Sequence, residues 1–159
     1  MTSTDPLRSQ LVKLLDWEDA HVGFDKAVEG LAPKLRGARP EGFEHSVWQI
    51  VEHIRLAQAD ILSFCGDSAY HEHKWPDDYW PSSAAPADEA AWAHSLSAFH
   101  RDLEAMKRLA HDPKVDLFAT VPHGSGPQTY LRELLVVADH TSYHVGQIVD
   151  VRRALGAWS

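Results

Sequence analysis

Residues 134–149, LLVVADHTSYHVGQIV, decide the fold of this chain. Their apolar positions recur at the three-to-four-residue spacing of an amphipathic helix, and the pattern extends from about residue 128 to residue 155. His140 and His144 stand one turn apart and therefore share one face of that helix. Because two imidazoles on one face can bind the same metal ion, the stretch predicts a long helix and part of a metal site.

Three further segments of the chain show helical periodicity. They predict helices near residues 5–29, 44–65 and 88–110, and the first of these either continues or restarts near Val22. Clusters of glycine and proline separate the segments, and no segment shows the alternation typical of a β-strand. The expected architecture is an all-α four-helix bundle with long connecting loops.

The composition limits the classes of function. A chain of 159 residues with 44% hydrophobic and 24% charged residues fits one domain with a single core. The net charge of -8 argues against nucleic-acid binding, which needs a basic surface. The sequence shows no signal-peptide pattern and no apolar run of membrane-spanning length. Cys65 is the one cysteine, so a cytoplasmic protein without membrane contact is expected.

A third metal ligand is expected from the helix near residues 44–65. His53 borders its apolar face, three residues after Ile50 and four before Ala57. Metal sites in helical bundles are commonly built from side chains on facing helices. Three protein ligands would leave coordination positions open, which is the layout of a catalytic site. The alternative is three separate interior histidines, each satisfied by a hydrogen bond.

The sequence resembles the DinB-like (DinB/YfiT-like) family of four-helix-bundle proteins. The resemblance is carried by HSVWQIVEHI at residues 45–54 and ADHTSYHVGQ at residues 138–147. It implies a single DinB-like domain over residues 1–159 with helices of up-down-down-up type. It also implies that His53, His140 and His144 bind a divalent metal.

Two classes of function follow from these features. The first is a metal-dependent enzyme, a hydrolase or a thiol-dependent S-transferase, because related bundles include thiol-dependent transferases. The second is a non-catalytic metal-binding or stress-response module. Three imidazoles suit zinc, which we favour, and also nickel or ferrous iron. The sequence contains no His-Glu-x-x-His motif, so no general base is marked and no catalytic residue is assigned.

Four polar residues are candidates for lining a cavity beside the metal. Gln49 and Gln147 lie about one turn from a histidine ligand, where either side chain could hold a water or a substrate. His45 lies two turns before His53, and His123 lies in a Pro-His-Gly turn. For both histidines the alternative is a solvent-exposed side chain.

The aromatic residues predict two further features. The rigid loop Trp75–Trp80 is expected to cap the bundle, with a partner contact or a pocket wall as alternatives. A homodimer is expected because the helices carry more aromatic residues than one small core needs. Trp17, Trp92 and Trp158 are the candidates for its surface patches. Cys65 is expected to be a buried thiol rather than a nucleophile.

Overall fold

The computed structural model describes residues 5–15, 20–124 and 126–158, and this part of the chain is all-α, as predicted. Its helices are α1 (Pro6–Leu15), α2 (Phe24–Val28), α3 (Pro33–Arg36), α4 (Val47–Gly66), α5 (Glu89–His111) and α6 (Tyr130–Ala154), with a 3₁₀ turn at Asp77–Tyr79. Among these described helices, none is long and apolar enough to cross a membrane.

The four long helices form most of the core, to which α2 adds Phe24, Ala27 and Val28. Helix α4 packs against α5 and α6, and α1 packs against the same two helices. The largest fully buried side chains come from these helices and include Ile54, Phe99, Met106, Leu134 and Ile148. Each such side chain contributes about 1.5–3 kcal/mol on burial. The packing holds α4 and α6, which carry the three candidate ligands, side by side. The up-down-down-up order stays a prediction.

The prediction of a single first helix over residues 5–29 is wrong, and the alternative of a restart is what the structure contains. Helix α1 is described as far as Leu15, residues 20–23 are not helical, and a separate α2 begins at Phe24. The preceding Gly23 has extended backbone angles, with φ -83° and ψ 178°, which a continuous helix does not allow. The glycine- and proline-containing connection between the predicted helices 5–29 and 44–65 also contains the short α3, which Pro33 opens at a position where its missing N–H costs nothing.

Helix α4 begins three residues later than its predicted start at residue 44. Ser46 caps it, because its hydroxyl accepts a hydrogen bond from the Gln49 backbone N–H at 3.2 Å. In return, the Gln49 side-chain oxygen accepts one from the Ser46 backbone N–H at 3.1 Å. This reciprocal capping box satisfies two backbone donors at the helix start. The capping box fixes where the first turn of α4 lies. It thereby fixes the direction in which His53 leaves the helix.

Two of the three tryptophans expected on the surface can be located. Trp92 is only 5% exposed and lies beneath the Arg36 guanidinium at 4.5 Å, so its assignment to a surface patch is wrong. Trp158 is partly buried, with the Arg152 guanidinium 5.1 Å from its ring. Trp17 lies outside the described residues. The homodimer stays a prediction without support from Trp92.

Candidate metal centre

Three histidines from two helices converge at the α4–α6 interface. His53, His140 and His144 each offer one ring nitrogen, and these nitrogens all lie within 4.8 Å of one another. The Nε2 atoms of His53 and His140 are 3.0 Å apart. Nitrogens bound tetrahedrally to one zinc ion stand about 3.3 Å apart, as follows from bonds of about 2.0–2.1 Å. The cluster therefore needs only small side-chain movements to surround an ion.

The ring of His53 is oriented by the loop after α4. Its Nδ1–H donates a hydrogen bond to the Tyr79 backbone carbonyl at 2.9 Å. That bond places the proton on Nδ1 and leaves the Nε2 lone pair directed at the cluster. His140 then donates its own Nε2 proton to His53, and a metal ion would take the place of this proton. Backbone carbonyls commonly orient metal-binding histidines in this way.

The ring of His144 is oriented from within its own helix. Its Nδ1–H donates to the Gln147 side-chain oxygen at 2.6 Å, which leaves Nε2 for the cluster. The Gln147 amide in turn donates to the Tyr143 hydroxyl at 3.2 Å. Gln147 was a candidate for holding water or substrate, but its oxygen is committed to a histidine. It acts on the site by fixing the tautomer and direction of His144.

An aromatic stack covers His53. The Trp80 ring lies parallel to the His53 ring, with 3.8 Å between centroids and 3° between planes. His45 also stacks with Trp80, at 3.8 Å and 17°. Trp75 stands edge-on to His53 at 6.3 Å and is itself 67% exposed. The Trp75–Trp80 loop therefore packs over the bundle at the histidine cluster, where Trp80 excludes water from the His53 ring.

Burial keeps the three imidazoles neutral. It is the largest cause that lowers the pKa of His53 to about 4, against the raising effect of the Tyr79 carbonyl. Burial likewise lowers the pKa of His140 to about 4, with smaller contributions from His144 and His53. The pKa of His144 is also lowered, mainly by burial. Metal ions bind the neutral form of imidazole, so the cluster needs no deprotonation at neutral pH.

The other sequence candidates do not belong to the histidine cluster. Gln49 is committed to the α4 capping box, and its amide donates to the Pro81 carbonyl at 3.5 Å. His45 lines a pocket of about 230 Å³ together with Gln147, and its buried Nδ1 has no hydrogen-bond partner among the residues that the structure describes. His123 is exposed and lines a different pocket, of about 420 Å³.

Cys65 lies apart from this chemistry. The thiol is buried, and burial together with the nearby Glu133 raises its pKa to about 12. A thiol is nucleophilic only as the thiolate. Cys65 therefore has the environment of a structural side chain, in agreement with the expectation from sequence.

Sequence reasoning missed two residues that shape the cluster. Tyr79 acts through its backbone carbonyl, which every residue type has, so the amino-acid sequence does not indicate this role. Trp80 acts through its ring, and the density of aromatic residues in the loop was a signal that pointed to it. Neither contact follows from helical periodicity, because both depend on how the loop returns to α4.

The comparisons with known proteins agree with the earlier resemblance. A sequence profile described as the DinB superfamily matches residues 16–148. The match spans α2 to α5 and most of α6, and it includes all three clustered histidines. No curated protein and no solved structure is significantly similar to the chain. On the strength of the family match, the chain belongs to the DinB superfamily.

Proposed function

We propose that His53, His140 and His144 form a divalent-metal centre at the active site of a metal-dependent enzyme. The observation that carries this proposal is the convergence within 4.8 Å of three ring nitrogens, from the buried His53 and His144 and the half-buried His140. The donor set fits such an ion, because burial favours neutral imidazoles and two of the rings have their Nδ1 protons committed to oxygen acceptors. Hydrogen bonds of this kind raise the affinity of imidazole for metals.

Zinc is the ion we favour, with nickel and ferrous iron as alternatives. All three accept imidazole ligands, and the cluster contains no thiolate or carboxylate that would favour a different ion. Three protein ligands leave at least one coordination position open. An ion held there would supply Lewis-acid activation of an oxygen or thiol group of the substrate.

The reaction class we propose is hydrolysis or thiol-dependent group transfer. The chain's own residues supply binding and orientation: the Tyr79 carbonyl and the Gln147 amide hold two of the rings, and Trp80 keeps water from His53. A dry and oriented site strengthens the electrostatic interactions made within it. The chain is proposed to act on a small molecule, without nucleic acid or membrane as partner.

Elemental analysis of purified protein tests the metal centre. The expected result is about one zinc, nickel or iron ion per chain, lost in His53→Ala, His140→Ala and His144→Ala variants. His94→Ala is the matched control, because His94 lies exposed on α5, and it should keep the metal. Full metal content in any of the three cluster variants would contradict the proposed ligand set.

Turnover of substrates tests the enzyme. Small esters and thiol conjugates should be converted by metal-loaded protein, and the rate should fall to the background level after chelation and in His140→Ala. If the metal centre is confirmed but conversion is the same with and without it, the proposal of an enzyme fails.

A non-catalytic metal-binding module is the second candidate. The observation in its favour is the close cover of His53 by Trp80, since a ring stacked at 3.8 Å restricts access to the cluster. Such a module should bind and release metal without turnover. It should also hold metal equally well in a Trp80→Ala variant, whereas an enzyme of this geometry should change its rate when that ring is removed.

A further inference from the structure

The residue that orients His53 is itself held at its other end. The Tyr79 carbonyl accepts a hydrogen bond from His53 Nδ1–H at 2.9 Å, and the Tyr79 hydroxyl donates to an Asp60 carboxylate oxygen at 2.6 Å. His53 and Asp60 are both on α4, two turns apart on nearly the same face and about 10 Å apart along the helix axis. Tyr79 therefore bridges two positions of α4, with its backbone at the histidine cluster and its phenol at Asp60.

Asp60 is an internal acceptor for the loop after α4. Its side chain is only 12% exposed. The Tyr70 phenol hydrogen-bonds to the same carboxylate as Tyr79 does, and the nearest nitrogen of His73 stands 3.7 Å from it. Three loop residues thus converge on one largely buried carboxylate. Because an unpaired carboxylate in such a position is costly, these contacts hold the loop on the helix.

The turn that carries Tyr79 links its phenol to its carbonyl. The Tyr79 backbone N–H donates to the Pro76 carbonyl at 3.1 Å. The Asp78 backbone N–H donates to the Lys74 carbonyl at 3.0 Å. Trp75 packs against the Tyr79 ring, with 5.4 Å between centroids. Since the backbone of the turn is hydrogen-bonded and the ring is packed, the anchor at the hydroxyl also limits where the carbonyl lies.

His53 depends on such an anchor more than His144 does. Gln147 orients His144 from the same helix, one turn away, so that contact is local. The carbonyl that orients His53 belongs to the long connection between Gly66 and Glu89. Hydrogen bonds weaken steeply when their geometry is lost. A carbonyl on a loop therefore orients a ring only where other contacts fix that loop.

We propose that Asp60 is a positioning residue of the histidine cluster, which fixes the ring and the tautomer of His53 through the Tyr79 hydroxyl. A proton held on Nδ1 leaves the Nε2 lone pair for an ion. Loss of a group that orients a metal-binding histidine typically weakens metal binding 10–100-fold. Because Asp60 acts through a second residue, we expect the lower end of this range. The effect on metal affinity rests on the proposed function, whereas the effect on the His53 tautomer does not.

Competition with a chromophoric chelator measures the effect on zinc affinity. Asp60→Asn and Tyr79→Phe should each weaken zinc binding about tenfold. The double variant should weaken it no more than the stronger single variant, because both changes interrupt one path. Tyr70→Phe is the matched control, since it removes the other phenol hydroxyl from Asp60 without changing the residue that orients His53. It should leave zinc affinity nearly unchanged.

Urea unfolding separates positioning from a purely structural role. Tyr70→Phe and Tyr79→Phe each remove one hydrogen bond to Asp60, so their losses of stability should be similar. Only Tyr79→Phe should also lose zinc affinity. Equal zinc affinities of the two variants would overturn the proposal, as would additive losses of affinity in the double variant of Asp60 and Tyr79.

Nitrogen NMR of chelator-treated protein gives a reading without metal. Wild-type His53 should carry its proton on Nδ1, and Asp60→Asn and Tyr79→Phe should shift the ring toward a mixture of tautomers. A proton on Nε2 of His53 in the wild type would overturn the proposal without any variant, as would an unchanged His53 spectrum in Tyr79→Phe. Zinc binding with no change of tautomer removes only this inference. The expected change of tautomer in a protein that binds no metal removes only the proposed function.

Discussion

Acidification should destabilise the metal-free protein, because His53 and His140 must be neutral to stay buried. Their pKa values are about 4 in the folded protein, against 6.5 for an ordinary histidine. Between these values the unfolded chain binds more protons than the folded one, so stability falls as pH falls. From pH 7 to pH 5 each depressed histidine removes about 2 kcal/mol of stability, and the two together about 4 kcal/mol. Because the two rings are in contact, about 4 kcal/mol is the upper limit of the stability that the pair can remove.

Urea unfolding at pH 7 and pH 5 measures this loss. Chelator-treated wild type should lose about 3–4 kcal/mol between the two conditions, and a His140→Gln variant should lose about 2 kcal/mol less. Bound metal should protect at pH 7 and lose this effect only as the pH falls toward about 4, where protons compete with the metal for His53 and His140 in the folded protein. The apo bundle should remain folded at neutral pH, because its core does not include the metal. Equal losses in wild type and His140→Gln would refute the reasoning.

Three further outcomes are expected. Gln147→Ala should weaken metal binding about 10–100-fold by freeing the His144 ring, as measured by competition with a chromophoric chelator; an effect no larger than that of the exposed Asp139→Ala would contradict it. Ser46→Ala should lower the free energy of unfolding by about 1 kcal/mol through loss of the α4 cap, and an unchanged urea midpoint would count against that role. Light scattering should give twice the chain mass of 17.8 kDa, and a monomer mass at tens of micromolar would rule out the homodimer.

The long helices and the histidine pair were predictable because they depend on local spacing. The interval between His140 and His144 fixes a shared face wherever a helix forms. His53 was predictable from its place beside the apolar stripe of α4, and the family resemblance agreed. The start of α4 was predictable in principle, since Ser46 and Gln49 have the spacing of a capping box. Gln49 was instead interpreted as a cavity residue, an assignment that its hydrogen bonds do not support.

The remaining features depend on contacts between distant parts of the chain. Trp80 lies 27 positions after His53, and only the path of the loop brings their rings together. The start of α2 follows Gly23, whose extended backbone no helical periodicity marks. Trp92 lies on the apolar stripe of α5, seven residues before Phe99, and is buried beneath Arg36 rather than on a surface patch. Periodicity identifies a buried face without identifying what covers it.

The most direct test of the metal centre is a crystal structure of zinc-loaded protein with anomalous diffraction recorded at the zinc edge. We predict one strong anomalous peak per chain, about 2.0–2.2 Å from one ring nitrogen each of His53, His140 and His144. A peak at other histidines, or electron density showing these three rings hydrogen-bonded to one another without an ion in zinc-saturated protein, would contradict it.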